Sequence, residues 1–389
     1  MTRSELGRRV IIAGVGYSDI ARSSGRSEGF LTLQAARRAL DDAGMGSDDV
    51  DGVVAYPDRV SSPFEGPSIT YVQRALGLER TRYWQALGWG PGQLSALVAA
   101  VYAVAGGGAG AVLCYRGHLR QERRYYVPGG TVGRQAGYDQ AFRAPYGAPA
   151  GAPRFALWAQ RYLYRYGRGE EDLCAAVLNN RANAQLNPRA IWNGSPLTRE
   201  DYFASPYIST PLRLLDCDMP VDGAVAIIVA RADRAAGLPH KAVHVEAMAH
   251  GGPADIDFDS APDLSEMASR QVGADLWART ALGPGDVDVV EAYDGISSLL
   301  LCWLEDLGFC EPGGAGTFLE EGHGRVGRRL PVCTDGGQLG GGRLHGFGKV
   351  AEAVLQLREE CGARQTPGAE VAVASSGGGP LGSALLLTR

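Results

Sequence analysis

Gly46-Ser-Asp-Asp-Val-Asp-Gly-Val-Val-Ala-Tyr56 aligns without a gap to Gly283-Pro-Gly-Asp-Val-Asp-Val-Val-Glu-Ala-Tyr293, at an offset of 237 residues. The glycine, the Asp-Val-Asp, a valine, the alanine and the tyrosine coincide. Each copy reads as a turn entering a short apolar strand. Each follows a helical stretch, Leu31 to Ala43 in one case and Met267 to Leu282 in the other, and Gly44 stops the first helix. Self-similarity at this distance argues for two related halves rather than a short-period solenoid. A chain of 389 residues suits two to three domains, or one fold built twice.

Working outward, a weaker correspondence follows each copy. Gly88-Trp-Gly-Pro-Gly92 precedes an Ala-rich helix, Leu94 to Ala105, and the strand Gly110 to Tyr115. Gly336-Gly-Gln-Leu-Gly-Gly-Gly342 precedes a helix from Gly348 to Arg358 and the strand Ala369 to Ala374. Each half thus sets a glycine-rich loop at a helix start, and the two loops are expected to face one site. The run Arg9 to Gly16 reads as a buried strand; its Gly-Val-Gly lacks the third glycine of a dinucleotide loop. Residues 118–210 are rich in Pro, Tyr and Arg, with helices expected at Phe155 to Tyr166 and Glu170 to Leu186, and read as an inserted loop domain. The expected organisation is a first half at 1–117, the insertion at 118–210, a return to the first half at 211–235, and a second half at 236–389. Strands alternating with helices imply a layered α/β fold, its sheets mostly parallel.

Composition narrows the function classes. Hydrophobic residues at 45% and charged residues at 21% describe a globular chain. The 55 glycines have no Gly-X-Y period, so they belong to turns and close approaches. With net charge -5 and no long Lys/Arg run, no nucleic-acid stripe is expected. The seven cysteines are widely spaced without a CxxC, which excludes a disulfide scaffold and a zinc ribbon; the histidines are dispersed, so no metal site is expected. No stretch of ~20 apolar residues suggests a membrane span, and the N-terminus lacks a signal-peptide pattern, so a cytoplasmic location is expected.

The motifs, in their order, resemble the thiolase superfamily. Leu214-Leu-Asp-Cys-Asp-Met-Pro-Val-Asp-Gly-Ala-Val-Ala-Ile-Ile-Val229 looks like the stretch leading into that family's Asp-Gly-Ala turn. Val290-Glu-Ala-Tyr-Asp-Gly-Ile-Ser297 stands where the family has Asn-Glu-Ala-Phe or His-Asp-Cys-Phe. Gly336-Gly-Gln-Leu-Gly-Gly-Gly-Arg-Leu-His-Gly346 stands for Gly-His-Pro, and Ser375-Ser-Gly-Gly-Gly379 for Cys-x-Gly-Gly-Gly. Pro211 to Cys217, Leu307-Gly-Phe-Cys310 and Asp335 to Gly340 are similar to a Cys-less, lipid-transfer-protein-like branch that includes the steroid side-chain-cleaving aldolases. The resemblance implies two related α/β halves with layered mixed sheets and helices, a homodimer that pairs through the sheet edge of the first half, with the apolar strand Gly110 to Tyr115 as that edge, a CoA thioester as substrate with no other cofactor, and a small OB-fold acyl-CoA-binding partner protein.

The departures decide the chemistry. A thiolase needs a cysteine at the N-terminus of a buried helix, where the helix dipole favours the thiolate. Here the turn is Trp89-Gly-Pro-Gly-Gln93, with Gly90 nearest the missing nucleophile; Arg343 replaces the histidine and Ser375 the second cysteine. Covalent acyl-enzyme catalysis is therefore not expected. Cys333, just before the glycine loop, is the cysteine closest to the site in sequence. Tyr293, ending a repeat strand, is the leading acid–base candidate; the resemblance implies a tyrosine there, and a second one where this chain has Arg343. A guanidinium is a poor base, so Arg343 is expected to lower a neighbouring pKa, stabilise an enolate, or grip a carboxylate or phosphate. His345 is a second candidate base. Gly90, Gly92, Gly341, Gly342 and Gly378 are candidate oxyanion-loop positions, with Asp294 and Ser375 orienting. The function expected first is retro-aldol carbon–carbon cleavage of a β-hydroxyacyl-CoA, which needs no nucleophilic cysteine. A Cys-independent acyltransferase or condensing enzyme, and a non-catalytic acyl-CoA-binding subunit, are the alternatives.

Overall fold

The computed structural model describes residues 3–56, 67–87, 94–120, 145, 151–252, 261 and 263–389. Its strands are β1 (Val10–Tyr17), β2 (Gly52–Ala55), β3 (Tyr83–Ala86), β4 (Ala111–His118), β5 (Tyr207–Ser209), β6 (Leu212–Arg213), β7 (Gly223–Arg231), β8 (Val243–Gly251), β9 (Val289–Glu291), β10 (Val371–Gly378) and β11 (Leu381–Thr388). All but the β5–β6 hairpin join in the order β3-β2-β4-β7-β1-β8-β11-β10-β9. Read outward from the centre, β1-β7-β4-β2 on one side matches β8-β11-β10-β9 on the other. The β1–β8 ladder that joins the two sides pairs Ile11 with His244 and Ile12 with Val243.

The sequence repeat lies on this symmetry. β2 and β9 are its strands, and the turns before them, Ser47–Asp49 and Pro284–Asp286, share the 237-residue offset. Asp49 Oδ2 accepts the Gly46 N–H at 3.0 Å and Asp286 Oδ2 the Gly283 N–H at 2.8 Å, so one local bond explains the paired Gly and Asp in both copies.

Two expectations are corrected. The sheet is mixed, as the thiolase resemblance implies, and not mostly parallel as the alternation of strands and helices suggests: β2–β3, β2–β4 and β9–β10 are parallel, while β1–β7, β4–β7, β1–β8, β8–β11 and β10–β11 are antiparallel. The β10–β11 hairpin and the return of the chain into β7 after residues 118–210 supply antiparallel neighbours. The expected edge strand from Gly110 to Tyr115 is not an edge. As β4 it lies between β2 and β7, and runs on to His118 because Gly117 and His118 still pair with Ala224 and Gly223. The outer strand of the first half is β3, with Trp84 66% exposed.

Helices cover both faces and fill the middle. Glu28–Ala43, capped by the Ser27 side chain and stopped by Gly44 at φ 62°, lies on the first half. A Cβ on Gly16 would come within 2.2 Å of Ala35 O, so the Gly-Val-Gly serves helix packing. Ser95–Ala105 and Phe347–Arg358 share a core with strands of both halves, between the two sheet regions. Ala152–Tyr166, Glu170–Ala184, Ala268–Trp277 and Ser297–Asp306 form the core beyond the second half. The layers run helix, sheet, helix, sheet, helix. No described helix is long and apolar enough to cross a membrane.

Candidate active site

After β9 the chain bends at Tyr293 and enters Ser297–Asp306. Ser375 Oγ on β10 accepts the Tyr293 N–H at 3.1 Å. The Tyr293 ring folds back over Gly295, where a Cβ would stand 2.8 Å from the phenol oxygen; only glycine leaves that room. The Asp218–Met219 segment then laces this bend to the glycine loop. Asp218 N–H donates to Gly295 O at 3.1 Å, Met219 N–H to Gln338 O at 3.1 Å, and Arg343 N–H to Met219 O at 2.8 Å.

Tyr293, Arg343 and His345, the three residues expected to carry chemistry, thereby meet. Arg343 is 2% exposed. Its Nη2 lies 3.0 Å from His118 Nε2 and its Nη1 3.5 Å from Asp218 Oδ1. His118 Nδ1 faces Val221 O at 2.8 Å and must donate there, so the ring is neutral and Nε2 accepts from the guanidinium. His345 sits at φ 47°, its N–H donating to Gln338 Oε1 at 3.0 Å. Its Nδ1 lies 2.9 Å from Arg116 Nη2, a group that only donates; the neutral ring therefore carries its proton on Nε2. In the resting site His345 is thus set as a donor, its Nδ1 engaged by Arg116. The two imidazoles meet edge to face, with centroids 5.6 Å apart.

Buried Arg116 lies over the Tyr56 ring at 5.6 Å, and Tyr56 adds to the field at Tyr293. The tyrosines of the two repeats therefore converge on one cluster. Burial, together with the Asp218 carboxylate and Tyr56, pushes the Tyr293 phenol above the ordinary tyrosine range; Gln338 and Arg343 pull the other way.

Asp294 turns away from this cluster. Its Oδ2 accepts from Asn180 Nδ2 at 2.6 Å and Leu339 N–H at 3.1 Å, and its Oδ1 pairs with Lys349 Nζ at 2.8 Å. Asp294 thus pins the Gly337–Gly340 turn, and Ser375 pins the Tyr293 backbone. Gly341 spends its N–H on Gly337 O at 2.7 Å. Gly342, at φ 120°, packs against Val221, and Gly378 lies where a Cβ would meet Leu299 at 2.7 Å. Gly90 and Gly92 lie outside the described residues.

The cysteines do not supply a nucleophile. Cys333 is fully buried with Lys349 Nζ 3.0 Å from its sulfur, yet burial holds the thiol well above its ordinary pKa. Cys310, the one cysteine not fully buried, is pushed up to about 12 by burial. Burial likewise raises Cys114, Cys174, Cys217, Cys302 and Cys361. Among the described residues no group of three or more His, Cys, Asp or Glu is arranged to hold a metal ion.

Four residues of the cluster escaped the sequence reading: Arg116, His118, Asp218 and Gln338. His118 lies three residues past the expected strand end at Tyr115. Asp218 and Gln338 stand inside motifs read only for family resemblance.

This arrangement, a doubled α/β half with a site at the inner strand ends, defines a class. A family model described as "Thiolase C-terminal domain-like" matches residues 251–387. The chain belongs to the thiolase superfamily. It is 36% identical over 367 residues to the 17-hydroxy-3-oxo-4-pregnene-20-carboxyl-CoA lyase of Mycobacterium tuberculosis, covering 91% of this chain and 92% of that one. It is 36% identical over 358 residues to a steroid side-chain-cleaving aldolase of Thermomonospora curvata, covering 89% and 90%. A solved structure titled Ltp2-ChsH2(DUF35) aldolase superimposes with TM-score 0.88 at 33% identity, covering 99% of each chain.

Proposed function

We propose that this chain cleaves a carbon–carbon bond of a β-hydroxyacyl-CoA by a retro-aldol reaction, with a steroid carrying a CoA-activated side chain as the substrate class. One observation carries the reading: Tyr293 lies in one buried cluster with Gln338, Arg343 and Asp218, laced together through the Asp218–Met219 main chain, and burial disfavours the thiolate at every cysteine. Acyl transfer through a thioester enzyme needs a thiolate. Retro-aldol cleavage needs a base and a place for enolate charge.

In this reading the Tyr293 phenolate takes the β-hydroxyl proton. The Cα–Cβ bond breaks, its electrons passing into the thioester as an enolate while Cβ leaves as a ketone. Tyr293 then returns the same proton to the α-carbon, so the cycle consumes nothing else. Arg343, held by His118 and Asp218, stabilises the negative charge as it moves between phenolate and enolate. His345 contributes its Nε2–H as a donor. Ser375 fixes the backbone from which the phenol projects.

The test is incubation with a steroid 20-carboxyl-CoA thioester bearing a 17-hydroxyl, the type named for the mycobacterial relative. A steroid ketone and a shortened acyl-CoA are expected in equal amounts, and none from the thioester lacking the hydroxyl. Acyl transfer to an added acceptor without cleavage would overturn the reading in favour of a condensing enzyme.

Three further elements belong to the same proposal. The chain forms a homodimer through β3, whose outer side pairs with no described strand and which carries exposed Trp84. A small OB-fold protein binds it and completes the acyl-CoA site; the support is the superimposed aldolase, whose name pairs Ltp2 with ChsH2(DUF35). Residues 118–210 act as an acyl-binding insertion in a cytoplasmic enzyme; Tyr125, Tyr126, Tyr138 and Phe142, aromatics that suit an apolar pocket, lie outside the described residues.

A further inference from the structure

Gln338 is 3% exposed and held at three points. Its carbonyl accepts Met219 N–H, its turn is pinned by Asp294 through Leu339 N–H, and its side-chain Oε1 accepts His345 N–H at 3.0 Å. An oxygen committed to an N–H donor fixes the amide the other way round: Nε2 must carry its two hydrogens toward the opposite side. That nitrogen is buried and makes no hydrogen bond of ordinary geometry among the described residues, only a looser contact with the Tyr293 phenol. A buried amide donor without an acceptor costs free energy, so its presence calls for an explanation. The Met219 bridge sets Gln338 beside Asp218, Gly295 and the phenol folded over Gly295.

We infer that Gln338 is a positioning residue whose Nε2–H donor is kept for the negative charge that appears on the Tyr293 oxygen during the reaction. The inference rests on the proposed role of Tyr293 and goes beyond it by assigning the group that makes the phenolate reachable. In the resting site the phenol is neutral and its contact with the Nε2 donor is loose. Once the phenol ionises, the amide is already oriented and a charge-assisted bond forms without reorganisation. The hydrogen-bond contact between the Gln338 side chain and the phenol has the matching sign, favouring ionisation. His345 acquires a second part, since its main-chain N–H holds the Gln338 amide in the productive flip.

The test separates this role from packing. Gln338→Met keeps the length and removes both polar ends. Gln338→Glu keeps an acceptor for His345 and becomes a donor only when protonated. Cleavage kcat is expected to fall about 10–100-fold in Gln338→Met, the worth of one bond to a charged oxygen, with KM little changed. In Gln338→Glu the rate relative to the parent enzyme should climb as pH falls and the new carboxyl protonates. Parallel pH profiles for Gln338→Glu and parent would overturn the inference.

A second readout needs no turnover. With a ring-fluorinated tyrosine incorporated at position 293, its ionisation is followed by ultraviolet absorbance below the range of the ordinary tyrosines. Gln338→Met should raise that midpoint by about one to two pH units. An unmoved midpoint overturns the role of Gln338, whereas a moved midpoint in an enzyme that cleaves no β-hydroxyacyl-CoA upholds it and sinks the retro-aldol reading instead.

Discussion

Replacing Arg343 by glutamine removes a buried cation from between His118 and Asp218. At the 3.5 Å separation of Arg343 Nη1 and Asp218 Oδ1, an effective dielectric of ~20 gives an attraction of about 5 kcal/mol. Both groups surrendered hydration on folding, so the pair's net worth is smaller. Breaking it on one side nevertheless leaves a carboxylate that is only 5% exposed without its guanidinium, at a typical cost of about 3–5 kcal/mol. Equilibrium denaturation should show a loss of that size for Arg343→Gln. The double variant Arg343→Gln/Asp218→Asn should recover a good part of it, because the carboxylate that lost its guanidinium is replaced by a neutral amide. Cleavage should fall by about 10²–10³-fold, since phenolate and enolate both lose their cation. Arg343→Tyr, which installs the residue the aldolase resemblance implies, should lose stability similarly and cleave more slowly than the parent, because tyrosine offers Asp218 no cation. An Arg343→Gln protein as stable as the parent, or a double variant no better than the single one, would refute the pairing argument.

Thiol alkylation of the native enzyme should leave cleavage activity unchanged, because every cysteine is held protonated by burial; mass spectrometry alongside the activity assay checks this, and inactivation would contradict it. Burial raises the Asp216 carboxyl to about 6, against ~3.9 for an unfolded aspartate. Its contribution is therefore fully present below about pH 4 and lost as pH rises through 6, by roughly 3 kcal/mol in all. Denaturation curves across that window should show it, and Asp216→Asn should flatten the slope. Trp84→Lys on β3 should shift the sedimentation mass of the purified chain toward 41.1 kDa, while an unaffected dimer would place the interface elsewhere.

Much of the scaffold is written in local sequence. The Gly-x-x-Asp turns before β2 and β9, the Ser27 and Gly44 caps, and the apolar runs of β1 and β7 are short-range signals that need no tertiary context. Strand neighbours are a long-range property. Gly110 to Tyr115 reads as a strand, but its place between β2 and β7 depends on β7 returning after more than a hundred residues. The site divides in the same way. Tyr293 and Arg343 were legible because they stand in the repeat and in the glycine loop. His118 and Arg116 were not, since β4 reaches the site only through its pairing with Gly223 to Val225. Gln338 gave no signal at all; its importance lies in which way its amide points, and that is set by the main chain of His345.

The most direct measurement is the single-turnover cleavage rate of Tyr293→Phe on a β-hydroxyacyl-CoA substrate that the parent enzyme cleaves. Phenylalanine keeps the ring over Gly295 and removes only the oxygen, so circular dichroism and the denaturation midpoint should stay near those of the parent. Cleavage should fall by about 10²–10⁴-fold with substrate binding largely retained. The parent's rate should rise with pH through the neutral range, because the phenol is held above its ordinary pKa and only its ionised form acts. A Tyr293→Phe enzyme that cleaves at the parent rate, with the same pH profile, would contradict the tyrosine mechanism outright.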